Sequence, residues 1–405
     1  LKQLTPRPVV GVGRFTSPDQ MVRQVKQGLM DFIGAARPSI ADPYLPKKID
    51  EGRVDDIREC IGCNICVTGD MTMGLSRCTQ NSSFMEEWRK GWHPERMRNV
   101  APAKKVLVVG SGPAGLSAAH RLGLRGYAVA LAEARKEVGG RVTLESRLPG
   151  LSAWARVRDY RMGQIGKMTN VEVYRDSALT AEDVLAFGAQ HVCLATGAVW
   201  RRDGVARFHL KPVPVADGVR VLTPDDIMAG AAVTGHVLIY DDDHYYMGGV
   251  MAEALLKMGC SVTLVTPSVK VSEWATNTLE QGFIQQRLLL AGVDVRVSRA
   301  LVAAMPGEAV IACTYTGREE RVACDAVLMV TARLPVDDLQ NAMLAVKGQW
   351  ADHAIESVAA IGDAEAPSSA IAWSTYAGHR YAEDLDEPER GDGLPFRREI
   401  AELLP

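Results

Sequence analysis

The 405-residue chain contains no stretch of 18 consecutive apolar residues, so no membrane-spanning helix is expected. Neither charge is in excess: 46 basic residues face 49 acidic ones, and a net charge of −3 argues against nucleic acid as a general partner. No leader-type segment and no low-complexity tract stands out, and the expected location is the cytoplasm. Cysteine is sparse, with eight residues, half of them crowded into one segment. The other four, Cys193, Cys260, Cys313 and Cys324, are scattered in apolar surroundings and are expected as buried free thiols in a reducing compartment. An initiator methionine is also missing. The chain opens on Leu1 and passes almost at once into the strand-like Val9-Val10-Gly11-Val12-Gly13, with nothing upstream to pair it. The expectation is a fragment of a longer protein whose catalytic residues lie upstream of Leu1. Its length suits about two or three domains.

What is present begins with Cys60-Ile61-Gly62-Cys63-Asn64-Ile65-Cys66, closed by Cys78. Thiolates are soft donors, and four of them suit either zinc or an iron–sulfur cube. Zinc sites usually read as two separated C-x2-C pairs, whereas a contiguous C-x2-C-x2-C triplet favours [4Fe–4S]. Gly62 and Asn64 permit tight turns that aim backbone N–H groups at sulfur. Trp88, Trp92 and His93, further on, are expected to pack this lobe onto the next domain.

Upstream, Pro8 to Arg14 reads as a buried strand, Ser17-Pro18-Asp19 opens a helix with Ser17 as a cap, and Met30 to Ala35 is a second strand. A strand–helix–strand unit of this size suits an α/β barrel or an open α/β sheet. In barrels, phosphate commonly sits on the loops after the last strands. Gly13-Arg14 and Ala36-Arg37 stand at those positions, and surface pairing is the competing role for both arginines.

Downstream, Val106-Leu107-Val108-Val109 is an apolar strand, Gly110-Ser111-Gly112-Pro113-Ala114-Gly115 is a G-x-G-x-x-G turn, and a helix runs to about Arg125. Backbone N–H groups at such a helix start can approach a pyrophosphate, and Glu133 at the end of the second strand suits ribose hydroxyls. A second Rossmann-like unit follows, with a strand at Val237 to Tyr240 and another at Ser261 to Val265. It lacks the glycine loop. In that place stands Tyr240-Asp241-Asp242-Asp243-His244-Tyr245-Tyr246-Met247-Gly248, whose side chains fill the room a pyrophosphate needs. No NAD(P)H is expected there, and Asp241 to Asp243 are expected as a solvated acidic loop. A hairpin is expected across Thr316-Gly317. Asp325 to Thr331 is expected as the strand returning to the first unit.

Together, Gly11-Val12-Gly13-Arg14, Ala36-Arg37-Pro38-Ser39-Ile40-Ala41-Asp42-Pro43, the cysteine triplet, Cys78-Thr79-Gln80-Asn81 and Gly91-Trp92-His93-Pro94-Glu95 resemble the Old-Yellow-Enzyme-type flavoproteins with a [4Fe–4S] cluster. Closest in pattern are trimethylamine, dimethylamine and histamine dehydrogenases and dimethylglycine demethylases. The resemblance implies an α/β chain. Residues 1–58 would form the C-terminal end of an FMN-binding TIM barrel, and residues 59–99 the cluster segment and linker. Residues 100–222 with 335–405 would form an ADP- or FAD-binding Rossmann-like domain, with 223–334 inserted as a degenerate NAD(P)-binding-like domain in disulfide-reductase-like arrangement. It also implies Cys60, Cys63, Cys66 and Cys78 as metal ligands and Arg37 on the FMN phosphate. Gly140-Arg141, Thr196-Gly197 and Asp363 match the further nucleotide elements of that fold, with a helix-cap role as the alternative for Asp363.

The implied function is oxidation of the C–N bond of an N-methylated amine, of the dimethylglycine or di- and trimethylamine type. Hydride passes to FMN, the imine hydrolyses, and electrons leave through the cluster to an electron-transferring flavoprotein or similar carrier. Gly69-Asp70-Met71-Thr72-Met73 and Met85-Glu86-Glu87-Trp88 lean toward the dimethylglycine type. Two alternatives remain: an NAD(P)H-dependent enoate reductase of the 2,4-dienoyl-CoA type, disfavoured by the missing loop, and a non-catalytic ADP-binding electron-transfer module. A homodimer is an open arrangement.

Overall fold

The computed structural model describes residues 2–100 and 104–386. Residues 101–103 and 387–405, assigned above to the ADP- or FAD-binding domain, lie outside the described residues.

The N-terminal portion is a strand–helix–strand unit. Val10–Val12 pairs in parallel with Phe32–Gly34, in the register Val10 with Phe32, and Pro18–Lys26 is the connecting helix. Pro18 stands in the first turn with Asp19 beside it, as the helix dipole favours. Ser17 is extended as an N-cap should be, yet its side chain makes no capping bond. The two strands leave Val10, Val12 and Phe32 exposed. The apolar core here is small: Met21, Leu45 and Ile57, with Phe15 and Ile33 against it.

A buried ion network makes up for that small core and ties this unit to the linker. Lys48 donates to Asp42 at 2.7 Å and to Glu95 at 3.1 Å, and Arg58 donates to Glu95 at 2.6 Å. Lys48, Asp42 and Arg58 are each at most 1% exposed. Trp92 is buried against Tyr376 and His379, as expected of a residue that docks the lobe, whereas Trp88 is 64% exposed.

The first nucleotide-type unit is a five-stranded parallel sheet in the order Ser357–Ala360, His191–Leu194, Lys105–Val109, Ala128–Ala132, Val171–Tyr174. Val106 to Val109 and Val192 to Leu194 are continuous buried runs, the pattern of strands covered on both faces. Helices Pro113–Leu124 and Ile371–Asp384 cross closely on one face.

The second unit repeats the plan. Its sheet runs Asp294–Arg296, Ser261–Val265, His236–Asp241, Ala326–Val330, Val221–Leu222, all parallel. An antiparallel meander follows Asp294–Arg296 in the chain: Arg299–Met305, Glu308–Cys313 and Glu319–Ala323, the last two forming the expected hairpin. Ala326–Val330 does not return to the first unit. Its five consecutive buried residues place it beside the central strand of the second sheet. The return is made by Arg333–Pro335, antiparallel to Ala198–Trp200. The strand Val221–Leu222, which precedes residue 223, also belongs to the second sheet.

All eight cysteines are free thiols, with Cys193, Cys260 and Cys324 buried as expected and Cys313 only partly so. No helix among the described residues is long and apolar enough to cross a membrane.

Candidate redox and nucleotide sites

The cysteine segment alternates ligands with anchors. Ile61 and Ile65 are each 4% exposed. Ile61 packs with Val142, Trp154 and Val157, and Ile65 with Tyr245, Ala275 and Ala372. Between them Gly62 (φ 75°) and Asn64 (φ 55°) take left-handed turns, so the intervening cysteines face a common small cavity. That cavity is lined by Cys60, Cys63, Cys66, Cys78, Arg37 and Asn64, among others. Gly62 N–H points at Cys60 Sγ and Asn81 N–H at Cys78 Sγ, both at 3.4 Å. Burial pushes the Cys66 thiol up to about 11 and the Cys78 thiol up to about 12. Held apart from water in this way, the sulfurs gain most from a cationic centre that takes their protons.

The spread of the sulfurs discriminates between metals. One tetrahedral zinc with Zn–S near 2.3 Å holds its sulfurs about 3.8 Å apart. Among the described residues, the trio of metal-type ligand atoms that closes within 4.8 Å is His191, Glu356 and Asp386; the cysteine sulfurs do not gather that tightly.

Thr79, Gln80 and Asn81, which follow Cys78, lock the segment. The Gln80 amide donates to Glu59 O (3.1 Å) and Arg156 O (3.2 Å) and accepts from Arg161 (3.0 Å), and Asn81 donates to Ile40 O (3.0 Å). Sequence reasoning gave these three no role, although their polar character right after a ligand cysteine was a usable signal.

Ala36 and Arg37 do not stand in a loop after a strand. They begin the short helix Ala36–Ala41, and the Arg37 guanidinium donates to Asn64 Oδ1 inside the cysteine segment. Arg14 likewise lies against the backbone at Gly62, where an added Cβ would meet Arg14 Nη1 at 1.6 Å. Both arginines therefore border the cysteine segment.

In the first unit, Gly112 caps the helix that Pro113 and Ala114 begin, and an added Cβ there would meet nothing within 4 Å. Gly115 is needed for close packing, since a Cβ would fall 1.9 Å from Gly110 O. Glu133 Oε2 accepts from Ser111 N (2.9 Å) and Ser111 Oγ (2.5 Å), which holds the loop onto the second strand. Gly140 lies against Gly112, Thr196 donates to Val336 O (2.6 Å), and Gly197 makes the turn into Ala198–Trp200. Asp363 accepts from Ser368 N (3.1 Å) and Arg333 Nη1 (3.2 Å). Arg333 and Arg141 both stack on Trp200, with guanidinium-to-ring distances of 5.0 and 5.3 Å. Tyr246 donates to Glu145 at 2.9 Å, and Glu145 also binds Arg141 at 2.8 Å. Side chains of both units thus meet in one cluster beside Asp363. Arg333, Trp200 and Tyr246 were missed, because only the fold brings them together.

In the second unit the acidic run is not solvated. Asp241, Asp242 and Asp243 are 0%, 1% and 7% exposed. Asp241 Oδ1 accepts backbone N–H groups of Asp243 and His244 (3.2 and 3.1 Å), Asp242 pairs with His244 Nε2 at 2.9 Å, and Asp243 accepts from Ser369 Oγ at 2.8 Å. Internal partners replace water, which is why the expectation of a solvated loop fails. Asp241 Oδ2 lies over the start of helix Met247–Lys257, and a Cβ at Gly248 would come within 2.3 Å of it. An aspartate side chain thus occupies the space over a helix start where a ligand phosphate would sit, with Oδ2 itself accepting no hydrogen bond. Burial, with Asp243 adding to it against the opposing pull of His244, pushes the Asp241 carboxyl up to about 7.

Residues 104–372 match the pyridine nucleotide-disulphide oxidoreductase family. The chain belongs to that family. Its residues 1–56 match the NADH:flavin oxidoreductase / NADH oxidase family, so the chain is built of two family parts. It is 40% identical to the dimethylamine dehydrogenase of Hyphomicrobium sp. (strain x), an alignment covering 98% of this chain and 58% of that one. Among solved structures, histamine dehydrogenase from Rhizobium sp. 4-9 is 60% identical with a TM-score of 0.94, over 100% of this chain and 62% of that one. The 6-hydroxypseudooxynicotine amine oxidase of Pseudomonas geniculata N1 is 46% identical with a TM-score of 0.91, over 95% and 57%. The chain spans less than two thirds of each of these relatives. The resemblance to iron–sulfur flavoprotein amine dehydrogenases read from the cysteine and glycine motifs, and the mixed α/β fold, are borne out along the chain.

Proposed function

We propose that this chain is the electron-exit and nucleotide-binding portion of a flavoprotein that oxidises the C–N bond of a small amine. Cys60, Cys63, Cys66 and Cys78 would hold a [4Fe–4S] cluster, and Gly13, Arg14, Ala36 and Arg37 would border FMN bound by the whole protein. When bound, FMN accepts an electron pair and an iron–sulfur cluster conducts electrons singly. The chain's own part is to keep the cysteine cavity dry through Ile61 and Ile65, to aim Gly62 and Asn81 N–H groups at sulfur, and to place two arginines between the flavin side and the cysteines.

In the first unit the reading favours ADP over FAD. Gly110, Gly112, Pro113, Ala114, Gly115, Glu133, Gly140, Arg141, Thr196 and Gly197 surround the nucleotide end. The Arg333–Trp200–Arg141 stack, joined to Asp363 through Arg333, supports that reading.

One observation carries the reading: Asp241 fills the helix N-terminus of the second unit. Pyridine nucleotide is then an unsuitable source of electrons, and an enoate reductase fed by NADPH loses its entry point. The substrate itself must supply the electrons, which leave one at a time to an electron-transferring flavoprotein or similar carrier. The test is anaerobic reduction of the whole protein with dimethylamine, histamine, dimethylglycine and NADPH in parallel. An amine should bleach the flavin within turnover time while NADPH does not; bleaching by NADPH alone would overturn the reading, and bleaching by none would leave the chain a non-catalytic carrier.

A further inference from the structure

We propose that the protein carries a metal site separate from the cysteines, in which His191, Glu356 and Asp386 bind a divalent transition ion of the zinc class. His191 opens the strand His191–Leu194, and Ser357 is its register partner on the neighbouring strand. Glu356 precedes Ser357, and Asp386 follows the long helix Ile371–Asp384. His191 Nε2 lies 3.4 Å from Asp386 Oδ2 and 3.8 Å from Glu356 Oε2, and the three ligand atoms all lie within 4.8 Å of one another. A tetrahedral ion with bonds of about 2.1 Å holds its nitrogen and oxygen ligands about 3.4 Å apart, so small side-chain adjustments close the site.

The imidazole is the independent pointer. Its side chain is only 4% exposed, yet Nε2 has no hydrogen-bond partner. A buried polar atom left in this state is uncommon. Nδ1 sits 2.8 Å from Ser357 Oγ. Donation from Nδ1 to that hydroxyl leaves the Nε2 lone pair facing the two carboxylates, the arrangement by which an outer partner orients a metal-binding histidine.

The carboxylate side is also fixed in place. Tyr127 OH donates to Asp386 Oδ2 at 3.0 Å, and Arg125 donates to Glu383 O (3.0 Å) and Leu385 O (2.9 Å) just before it. The Glu356 and Asp386 side chains are 49% and 30% exposed, which leaves a way in and a free coordination position toward solvent.

Lys104 is the competing cation. Its ammonium lies 2.7 Å from Glu356 Oε2 and 3.2 Å from Asp386 Oδ1, and its side chain is 33% exposed, so it can swing outward. An arriving ion displaces it from Glu356 and cross-links the sheet to the end of the helix Ile371–Asp384. Two carboxylates and one imidazole select an ion that accepts both nitrogen and oxygen, rather than calcium or magnesium.

The test is calorimetric titration of the whole protein, with its cysteine-bound cofactor intact, using zinc chloride alone as the probe. One zinc per chain should bind beyond any held at the cysteines. Lys104→Met should tighten it about 10-fold by removing the competing charge, and His191→Gln or Asp386→Asn should each weaken it by about 100-fold or more, the scale on which ligand-shell changes act. Visible absorbance of the cluster should be the same in all four proteins. If His191→Gln fails to fold, Asp386→Asn carries the comparison. No saturable zinc heat in the wild type and in Lys104→Met, or equal affinity in the ligand variants, would overturn the proposal.

Discussion

The two Rossmann-like units share a topology and differ at one turn. In the first, Gly110 to Gly115 keep the start of helix Pro113–Leu124 open above Gly112. In the second, six residues with side chains follow the strand, and Asp241 closes over the start of helix Met247–Lys257. The sheets are alike, so the sheet does not decide what binds. The difference lies in whether the space over the helix start is left open or taken by an aspartate of the chain itself. The same stretch of the second unit also binds the first, through Tyr246 to Glu145 and Asp243 to Ser369.

The largest expected effect breaks the open site. Gly115→Ala puts a Cβ 1.9 Å from Gly110 O, a backbone atom that cannot turn aside. Bound nucleotide, measured as adenine released by acid per chain, should fall to near zero, with a loss of stability of about 1–3 kcal/mol from overpacking. Gly248→Ala in the second unit, which meets Asp241 Oδ2 at 2.3 Å, should lower stability in the same range but leave the nucleotide count unchanged.

A smaller effect separates the units by pH. The Asp241 carboxyl has an ordinary value of 3.8 and sits near 7 because burial favours its neutral form. The folded state therefore holds that proton more tightly than the unfolded chain, and the stability it lends is complete below about pH 4 and is lost as pH rises to about 7. His244 acts in the same direction. Burial alone would lower it, but the Asp242 hydrogen bond and the charges of Asp241 and Asp242 raise it, so its contribution too is lost as pH rises. Chemical denaturation followed at Trp274, which sits in the second unit, should show a midpoint falling across this window, and Asp241→Asn should flatten the slope.

The smallest effect is expected at Glu133. Glu133→Gln keeps one acceptor oxygen, for Ser111 N–H or for Arg135 N–H, and loses the charge and the other bond. Nucleotide affinity should drop by roughly 5- to 10-fold, in keeping with about 1 kcal/mol for one weakened bond, with no change in cluster absorbance.

Much of this was legible from local patterns. A cysteine triplet, a glycine turn between strand and helix, and an acid at the next strand end are short-range signals, and the structure gathers the four cysteines around one cavity and sets the glycine turn between strand and helix. The failures share one cause: they depend on partners distant in sequence. Asp241 to Asp243 read as solvated because charged runs usually are; burial became affordable only through His244, Ser369 and backbone N–H groups. Ala36 and Arg37 read as a loop after a strand, but they begin a short helix, and Arg37 donates to Asn64 in the cysteine segment. Ala326–Val330 read as a return strand from its position in the chain, whereas its uniform burial puts it inside the second sheet. Met71, Met73 and their neighbours leaned toward dimethylglycine enzymes, yet identity is higher to the dimethylamine and histamine dehydrogenases. Residues exposed on a loop, as Met73 is, report little about a distant substrate pocket.

The most direct test of the contrast between the units is anaerobic calorimetry of the whole protein with NADPH and with NADH at millimolar concentration. The account predicts one tightly held adenine nucleotide per chain, in the first unit, and no saturable heat from either pyridine nucleotide. Saturable binding of NADPH at one per chain, lost on substitution in the second unit, would contradict it.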